Sequence, residues 1–389
     1  MNAGRTLFAQ VMDLLPLRQF RQCVARYHGH RKVQRLSCLD QFLALAFAQL
    51  TYRESLRDLV ECLRAARTKL YHSGFRGPVR RSTLADANEQ RDWRIYADFA
   101  HVLIAMAKDL YADEDFGLEL NSTVYALDST TIDLCLALFP WARYQRTKGA
   151  IKLHTLLNLT GSIPEFIHIS DGKMHDVNVL DLLPVQPGAF YVIDRGYVDF
   201  ARLHGLHLAA GFFVTRAKRR MQFRRRYSRP VDKKSGLLFD QTIILTGVDT
   251  AGYYPQPLRR IGFRDPETGK RFVFLTNNFV LPALTIARLY KFRWRIELFF
   301  KWIKQHLRIK AFYGLSDNAV KTQIWVAVAV YVLIAILKKR LRLQQRLYTI
   351  LQVLSVTLLE KTPILQAFSD WPDTDDNTTQ PNQLLLFDL

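Results

Sequence analysis

The sequence predicts an α/β chain in which a helical N-terminal region precedes a strand-led core that carries a β-rich insertion and is followed by more helices. Three observations predict it. Apolar-periodic helical segments run to about residue 110, strand-like runs bounded by turn residues begin at Asn121, and a helical pattern resumes after Pro282 and extends to about residue 368.

In the first region, Ser37 with Asp40 and Thr51 with Glu54 are spaced as capping boxes, so helices are expected to begin near 38 and 52. GFRGPVRR at 74–81 is a Gly/Pro/Arg connector, and Ser82 is placed to cap a third helical segment running through Trp93 and Tyr96. Short helices with basic joints suit DNA, without a helix-turn-helix signature. From Asn121 on, strands are expected at Thr123–Leu127, Ile151–Leu159 and Glu165–Ile169. A helix at Asp176–Leu183, a strand at Ala189–Ile193, a helix at Val198–His204 and a strand at Gly211–Thr215 follow. The β-β-β-α-β-α-β order matches the ribonuclease H-like fold, in which the first and fourth strands lie side by side and bring their ends to a common site. Asp128 then ends the first strand and Asp194 the fourth.

From Arg216 to about Phe279 the pattern is β-like and turn-rich, with DPETGK at 265–270 reading as a hairpin turn. Its entry, 216–234, holds ten Lys or Arg against one Asp, with Phe223 and Tyr227 interleaved. A run this basic is expected to be a loop that contacts phosphates. The expected organisation is a helical, DNA-binding domain at 1–110, a catalytic core at 121–215 and 281–320, a β-rich insertion at 216–280, a helical region at 321–368 and a disordered acidic tail at 369–389 that ends in an apolar motif.

Composition narrows the function. The 389 residues are 49% hydrophobic, enough for at least one sizeable core, which excludes a disordered or fibrous chain. A net charge of +20 favours a polyanionic partner, nucleic acid ahead of a small acidic metabolite. Cys23, Cys38, Cys62 and Cys135 form neither a CxxC pair nor a zinc-spaced cluster, which points to a reducing, cytosolic setting. The N-terminus lacks the pattern of a secretory signal. The most apolar run, Ile324–Leu337, is 14 residues long, too short to span a bilayer, and reads as a buried core helix.

Phosphodiester cleavage by two metal ions needs about three carboxylates converging on two Mg²⁺ ions roughly 4 Å apart. Asp128 and Asp194 could supply two, although an Asp after a strand is by itself more often a turn residue. In LYKFRWRIELFFKWIKQHL (289–307), Tyr290, Glu297 and Lys304 are spaced by 7 and 7, with Arg293 three beyond Tyr290. At about 100° per residue these four fall within roughly 60° of arc on one helical face. The core face is formed separately by Leu289, Phe292, Ile296, Phe299, Ile303 and Leu307. A lone Glu flanked by Arg and Lys makes chemical sense if Glu297 completes a metal site while Arg293 and Lys304 neutralise the phosphates of the strand being cut.

The pattern Tyr-x2-Arg-x3-Glu-x6-Lys, read as Tyr290, Arg293, Glu297 and Lys304, resembles the signature of the insertion-sequence-four family of transposases. LDST around Asp128 and IDRGY around Asp194 resemble that family's other motifs. DQFLALAFAQLTYRESLRDL and RRSTLADANEQRDWRIY look like the helical domain that precedes the catalytic domain in one branch of it. The resemblance spans about residues 5–340. It implies a DDE transposase of the cut-and-paste type, in which Asp128, Asp194 and Glu297 bind two Mg²⁺ ions, with Mn²⁺ as a substitute. It also implies a hairpin intermediate at the transposon ends, synapsis of two ends by a homodimer, and terminal inverted repeats and target DNA as partners. DNA contacts are expected from Tyr290, Arg293, Lys304 and Arg195, and from Lys218, Arg219, Arg220, Arg224, Arg225 and Arg226 in the basic run. One departure is that 216–280 contains no Trp to stack on a flipped base; Phe223, Tyr227, Phe239, Tyr253, Tyr254 or Phe263 could take that role.

Asp176, followed by an apolar helical pattern, reads as an N-cap rather than as a metal ligand with His175. Lys152 and His154 alternate along the second strand, where one could face the substrate backbone. Trp294 and Trp302 read as packing residues. The terminal QLLLFDL, with Gln383, Leu384, Leu386 and Phe387, resembles the short peptide by which many bacterial proteins bind the sliding clamp, with Leu385 departing from the usual Ser or Asp. Together these features point to a bacterial, cytoplasmic, nucleoid-associated enzyme with no membrane partner. The alternatives are an inactive, transposase-like DNA-binding repressor and a structure-specific nuclease on the same fold.

Overall fold

The structure is a computed structural model and describes residues 4–31, 33–114, 118, 120, 122–306 and 312–369. Its described residues divide into two units: one holds those up to 113, 131–151 and 300–369, the other those of 114–130 and 152–299. The expected boundary at Asn121 and the clamp residues Gln383, Leu384, Leu386 and Phe387 lie outside the described residues.

The first unit is mainly helical. Ser37 and Asp40 form the expected capping box at the head of Cys38–Leu50. The second expected box does not form. Thr51 ends that same helix, and Ser55 caps the next one, Leu56–Ala65, through the amide of Asp58. Ser82 is likewise inside Arg81–Gln90, whose first position is taken by Arg81 and whose Arg80 cap makes no side-chain bond. An aromatic cluster packs the interior, with Phe20 edge-on to Phe99 at 4.8 Å and Phe42 edge-on to Phe99 at 5.4 Å. The helix at Leu7–Met12 is tied to the C-terminal part of the same unit, where Leu7 N donates to the carbonyl of Glu360 and Phe8 N to that of Leu358.

The apolar run at 324–337 is the middle of a longer helix, Asp317–Arg340, capped by Ser316 and closed by Lys338, Lys339 and Arg340. Its 24 residues, unlike the 14 of the run, are long and apolar enough to cross a membrane by length and composition. Some 94% of its most apolar window is buried inside the protein, so it is a core helix. The four cysteines are free.

A single nine-stranded sheet organises the second unit, with strands β1 (Val124–Leu134), β2 (Gly149–Asn158), β3 (Ile163–Asp171), β4 (Phe190–Ile193), β5 (Phe212–Arg216), β6 (Phe223–Arg229), β7 (Leu237–Leu245), β8 (Leu258–Arg264) and β9 (Arg271–Thr276). Their spatial order is 3-2-1-4-5-9-8-7-6. The first and fourth strands pair in parallel, as the element order predicts, and β4 pairs in parallel with β5. Phe200–Leu208 supplies the helix between β4 and β5, with Asp199 capping it through the amide of Arg202. Tyr191, Phe213, Leu203 and Tyr254 are among the side chains buried in its core.

Three local readings change. β1 does not stop before Asp128; the strand-forming Ser-Thr-Thr-Ile that follows carries it on to Leu134, so Asp128 sits within the strand. Asp176 does not cap the 3₁₀ helix Asp176–Leu182, because it is the first residue of that helix and its carboxylate is engaged elsewhere. The basic segment at 216–234 is not a loop either. Residues 223–229 form β6, which pairs antiparallel with β7 and is the outermost strand. Arginines are compatible with an edge strand, whose long charged side chains protect its free backbone groups from pairing with another chain. The hairpin turn at 265–270 forms as expected between β8 and β9, with Asp265 accepting from Thr268 Oγ1 at 2.5 Å and Gly269 at φ +70°. The strands of 216–280 thus extend the same sheet through the antiparallel β5–β9 pair.

Candidate active site

Register, rather than sequence distance, assembles the site. In the parallel β1–β4 pair Leu127 is level with Ile193, so the next residues, Asp128 within β1 and Asp194 just past the end of β4, lie side by side. In the parallel β4–β5 pair Val192 is level with Val214, and two residues on Asp194 meets Arg216. Arg216 Nη2 donates to Asp194 Oδ1 at 3.0 Å. Asp194 also caps the 3₁₀ turn Arg195–Tyr197, where its Oδ2 accepts from the amide of Gly196 at 3.2 Å.

The Tyr-Arg-Glu residues arrive on two helices rather than one. Ala283–Lys291 carries Tyr290 and Trp294–Lys301 carries Glu297, with Phe292 and Arg293 between them. At this joint the amides of Phe292, Arg293, Arg295 and Ile296 each donate to the carbonyl three residues back, so the winding is locally tighter than an α-helix. Further on, Trp302–His306 winds as a π-helix. The constant 100° per residue behind the expected stripe therefore holds neither at Arg293 nor at Lys304.

Tyr290, Arg293 and Glu297 still reach the two aspartates. Tyr290 OH donates to Asp194 Oδ1 at 3.2 Å. Arg293 Nη1 donates to Asp128 Oδ2 at 2.8 Å, and Arg293 Nη2 to Glu297 Oε1 at 2.6 Å. The guanidinium groups of Arg216 and Arg293 each stand 5.9 Å from the centre of the Tyr290 ring. Arg293 is 14% exposed, whereas the Glu297 side chain is 39% exposed. Lys304 belongs to the other unit, where its ammonium donates to the carbonyl of Thr131 at 2.6 Å.

Burial and neighbouring charge set the protonation of these groups. Burial, with the charges of Asp194 and Glu297, pushes the Asp128 carboxyl up to about 6 against the opposing pull of Arg293. Burial also works against the charge of Asp194, but the amides of Arg195 and Gly196 and the cations of Arg293 and Arg216 outweigh it and hold that carboxyl below its ordinary range. Burial would lower the Arg293 guanidinium; Tyr290, Asp128, Glu297 and Asp194 instead keep it firmly charged. The Tyr290 phenol is pushed up to about 12, chiefly by burial.

Three carboxylates offer the hard oxygen donors that Mg²⁺ takes, so the donor set fits that ion in kind. The cation found among them is the chain's own Arg293. Among the described residues, no three His, Cys, Asp or Glu side chains stand close enough together to hold a metal ion.

The residue after Asp128, Ser129, is tied to another acid. Ser129 Oγ donates to Asp176 Oδ1 at 2.8 Å, and Lys152 Nζ lies 3.1 Å from the same oxygen while donating to the carbonyl of Met174. His154 is fully buried, with Nε2 2.9 Å from Ser170 Oγ, and burial pushes its pKa down to about 4. Trp302 is buried in the first unit, edge-on to Tyr331.

Arg195, Arg216, Lys218, Arg219, Arg260 and Arg271 line one cleft of about 450 Å³. Lys218 and Arg220 also border a larger cavity of about 990 Å³ with Phe200, Met221 and Tyr253. Arg224, Arg225 and Arg226 are exposed along β6. Of the aromatic residues considered for stacking, Tyr254 is fully buried, and Phe223 and Phe239 lie under the Arg260 guanidinium at 4.8 and 4.4 Å. Tyr227 and Tyr253 are 58% and 55% exposed. Sequence reasoning missed Arg216, Ser129 and Arg260 as parts of these sites. Arg216 was within reach of it, since the residue two past the middle of β5 had to lie level with Asp194.

Two family profiles match the chain: one described as Transposase DDE domain over residues 119–333, the other a domain of unknown function (DUF4372) over 3–76. A protein of Sinorhizobium fredii described as a transposase, y4zB, is 32% identical over 256 residues, 65% of this chain and 70% of its own length. One described as a transposase for the insertion sequence element IS5377 of Geobacillus stearothermophilus is 30% identical, over 56% of this chain and 57% of its own length. A third, described as a transposase for element IS4SA of Synechocystis sp., is 24% identical, over 74% of this chain and 77% of its own length.

Proposed function

The chain belongs to the transposase DDE domain family and is a DDE transposase, and on that premise we propose that it moves an insertion sequence by cut-and-paste transposition, as a member of the insertion-sequence-four family with a Tyr-Arg-Glu-Lys signature and a ribonuclease H-like core. The observation that carries this reading is the level register of Asp128, within β1, and Asp194, just past the end of the neighbouring parallel strand β4, with Glu297 joined to Asp128 through Arg293.

Asp128, Asp194 and Glu297 would hold two Mg²⁺ ions, or Mn²⁺ in their place, which when bound supply an activated water and stabilise the leaving oxygen. The chain's own groups do the rest. Tyr290 and Arg216 hold Asp194 charged and oriented by donating to one of its oxygens. Arg293 and Lys304 offer cations to the phosphates of the strand being cut. The cleft lined by Arg195, Lys218 and Arg219 seats the backbone beside Asp194, and Arg220 with Arg224, Arg225 and Arg226 extends the basic track. Tyr227 and Tyr253 present the exposed aromatic faces that a flipped base in a hairpin intermediate would need.

Residues 1–110 form a DNA-binding domain in this reading. Its support is that Arg31, Arg35, Arg76 and Arg80 are exposed around two adjoining clefts that share Arg35 and Thr83. The enzyme works in the bacterial cytoplasm on the nucleoid, as a homodimer that pairs two terminal inverted repeats before joining them to target DNA. Gln383, Leu384, Leu386 and Phe387 dock on the sliding clamp; deletion of 383–389 then abolishes clamp pull-down, and an unchanged pull-down removes this partner.

Excision from a donor plasmid carrying the element's own ends tests the whole reading. Wild type excises; Asp128→Ala, Asp194→Ala and Glu297→Gln bind the ends in gel shift without excising. Binding by wild type without excision would favour a DNA-binding repressor, and cutting of branched DNA without terminal repeats would favour a structure-specific nuclease.

A further inference from the structure

We propose that the Arg293 guanidinium is a resident counter-ion that takes the place of divalent metal in the metal-free protein, and that it is displaced when the carboxylates take up their ions. The inference rests on the reading of Asp128, Asp194 and Glu297 as metal ligands, and it concerns what this chain does before metal and DNA arrive.

Geometry carries it. The two outer nitrogens of Arg293 are committed to two different carboxylates, at 2.8 Å to Asp128 and 2.6 Å to Glu297, and the side chain is 14% exposed. A planar fork used in this way spans two anions with donors held in fixed directions, a geometry that a lysine ammonium does not reproduce. Asp194 is held by a separate set of donors, Arg216, Tyr290 and the amide of Gly196. Two of the three carboxylates thus converge on a guanidinium, while no three metal-ligating side chains among the described residues stand close enough for an ion.

A buried carboxylate left without a partner is strongly destabilising, so the metal-free protein needs such a cation. The same contact competes with metal. Apparent metal affinity is the intrinsic affinity multiplied by the fraction of molecules in which the guanidinium has moved aside. A phosphate at the site gives the displaced guanidinium a new partner, so DNA and metal binding strengthen one another, and by linkage each does so to the same extent.

The experiment is Mn²⁺ binding to the full chain without DNA, read from the electron paramagnetic resonance of free Mn²⁺. Arg293→Ala is expected to bind Mn²⁺ at least about tenfold tighter than wild type. Low-millimolar guanidinium should weaken binding to Arg293→Ala by refilling the vacated place, and leave wild type unchanged. Equal or weaker binding by a folded Arg293→Ala overturns the proposal while leaving the carboxylate reading intact. Absence of Mn²⁺ binding in wild type and variant alike overturns both. Should Arg293→Ala fail to fold, Arg293→Lys, which keeps the charge but loses the fork, is expected to bind severalfold tighter than wild type, and binding at the wild-type level overturns the proposal.

Discussion

The guanidinium of Arg293 stands 2.8 Å from the carboxylate of Asp128, a residue 165 positions earlier in the chain. The joint between two helices is tied there to a strand by a buried ion pair, and the same guanidinium reaches Glu297. Removing one member of such a pair leaves a buried charge uncompensated. Arg293→Gln is therefore expected to lose about 3 kcal/mol of stability at neutral pH without metal. Near pH 5 the loss should shrink, because an Asp128 carboxyl that titrates at about 6 is then mostly protonated and needs no counter-ion. Urea unfolding at the two pH values checks this; an equal loss at both contradicts it.

Tyr290→Phe removes the donor to Asp194 at 3.2 Å but keeps the ring between Arg216 and Arg293. The cost should be about 1 kcal/mol or less, as for one hydrogen bond. Arg216→Gln removes a charge from the same oxygen and should cost more. Thermal melts of the two variants give the comparison, and the reverse order would contradict the roles assigned to them.

His154 is buried and titrates near 4, below the ordinary imidazole value of 6.5. A base whose folded pKa is lowered favours the folded state above its unfolded pKa, and that advantage is lost as pH falls from about 6.5 towards about 4. The loss amounts to roughly 3 kcal/mol at most. His154→Gln should flatten the stability profile across this window in denaturant titrations. An unchanged profile would mean that another group sets the acid limb.

Basic residues in the cleft beside Asp194 should act through phosphates. Arg195→Ala and Lys218→Ala are each expected to weaken DNA binding about equally for any sequence and to reduce the slope of log K against log salt by about one. Fluorescence anisotropy across a salt series reads both quantities. A change confined to one DNA sequence would assign these residues to base reading instead.

Much of this was legible in the residues, and what was not had a physical reason. The Ser37–Asp40 box, the parallel neighbours β1 and β4 and the hairpin at 265–270 are local or order-determined features, which composition and spacing encode. Helix joints are different. The turn at Phe292 and Arg293 carries neither Gly nor Pro, so the pattern 289–307 reads as one helix although the backbone changes its winding twice. Basic composition equally suits a loop and an edge strand, which is why β6 was not anticipated. Asp176 stands where an N-cap would stand, but Ser129 and Lys152 bind its carboxylate, and partners so distant in sequence leave no local signal.

In the proposed function Asp128, Asp194 and Glu297 act together in metal-dependent strand cutting. The most direct test is nicking of a labelled duplex carrying the element's own end, with Mg²⁺ or with a chelator, comparing wild type with Glu297→Gln. Wild type is expected to nick at the end with Mg²⁺ and not with chelator, and Glu297→Gln is expected to bind without nicking. Nicking that persists in Glu297→Gln, or that needs no divalent ion, would contradict the proposed function.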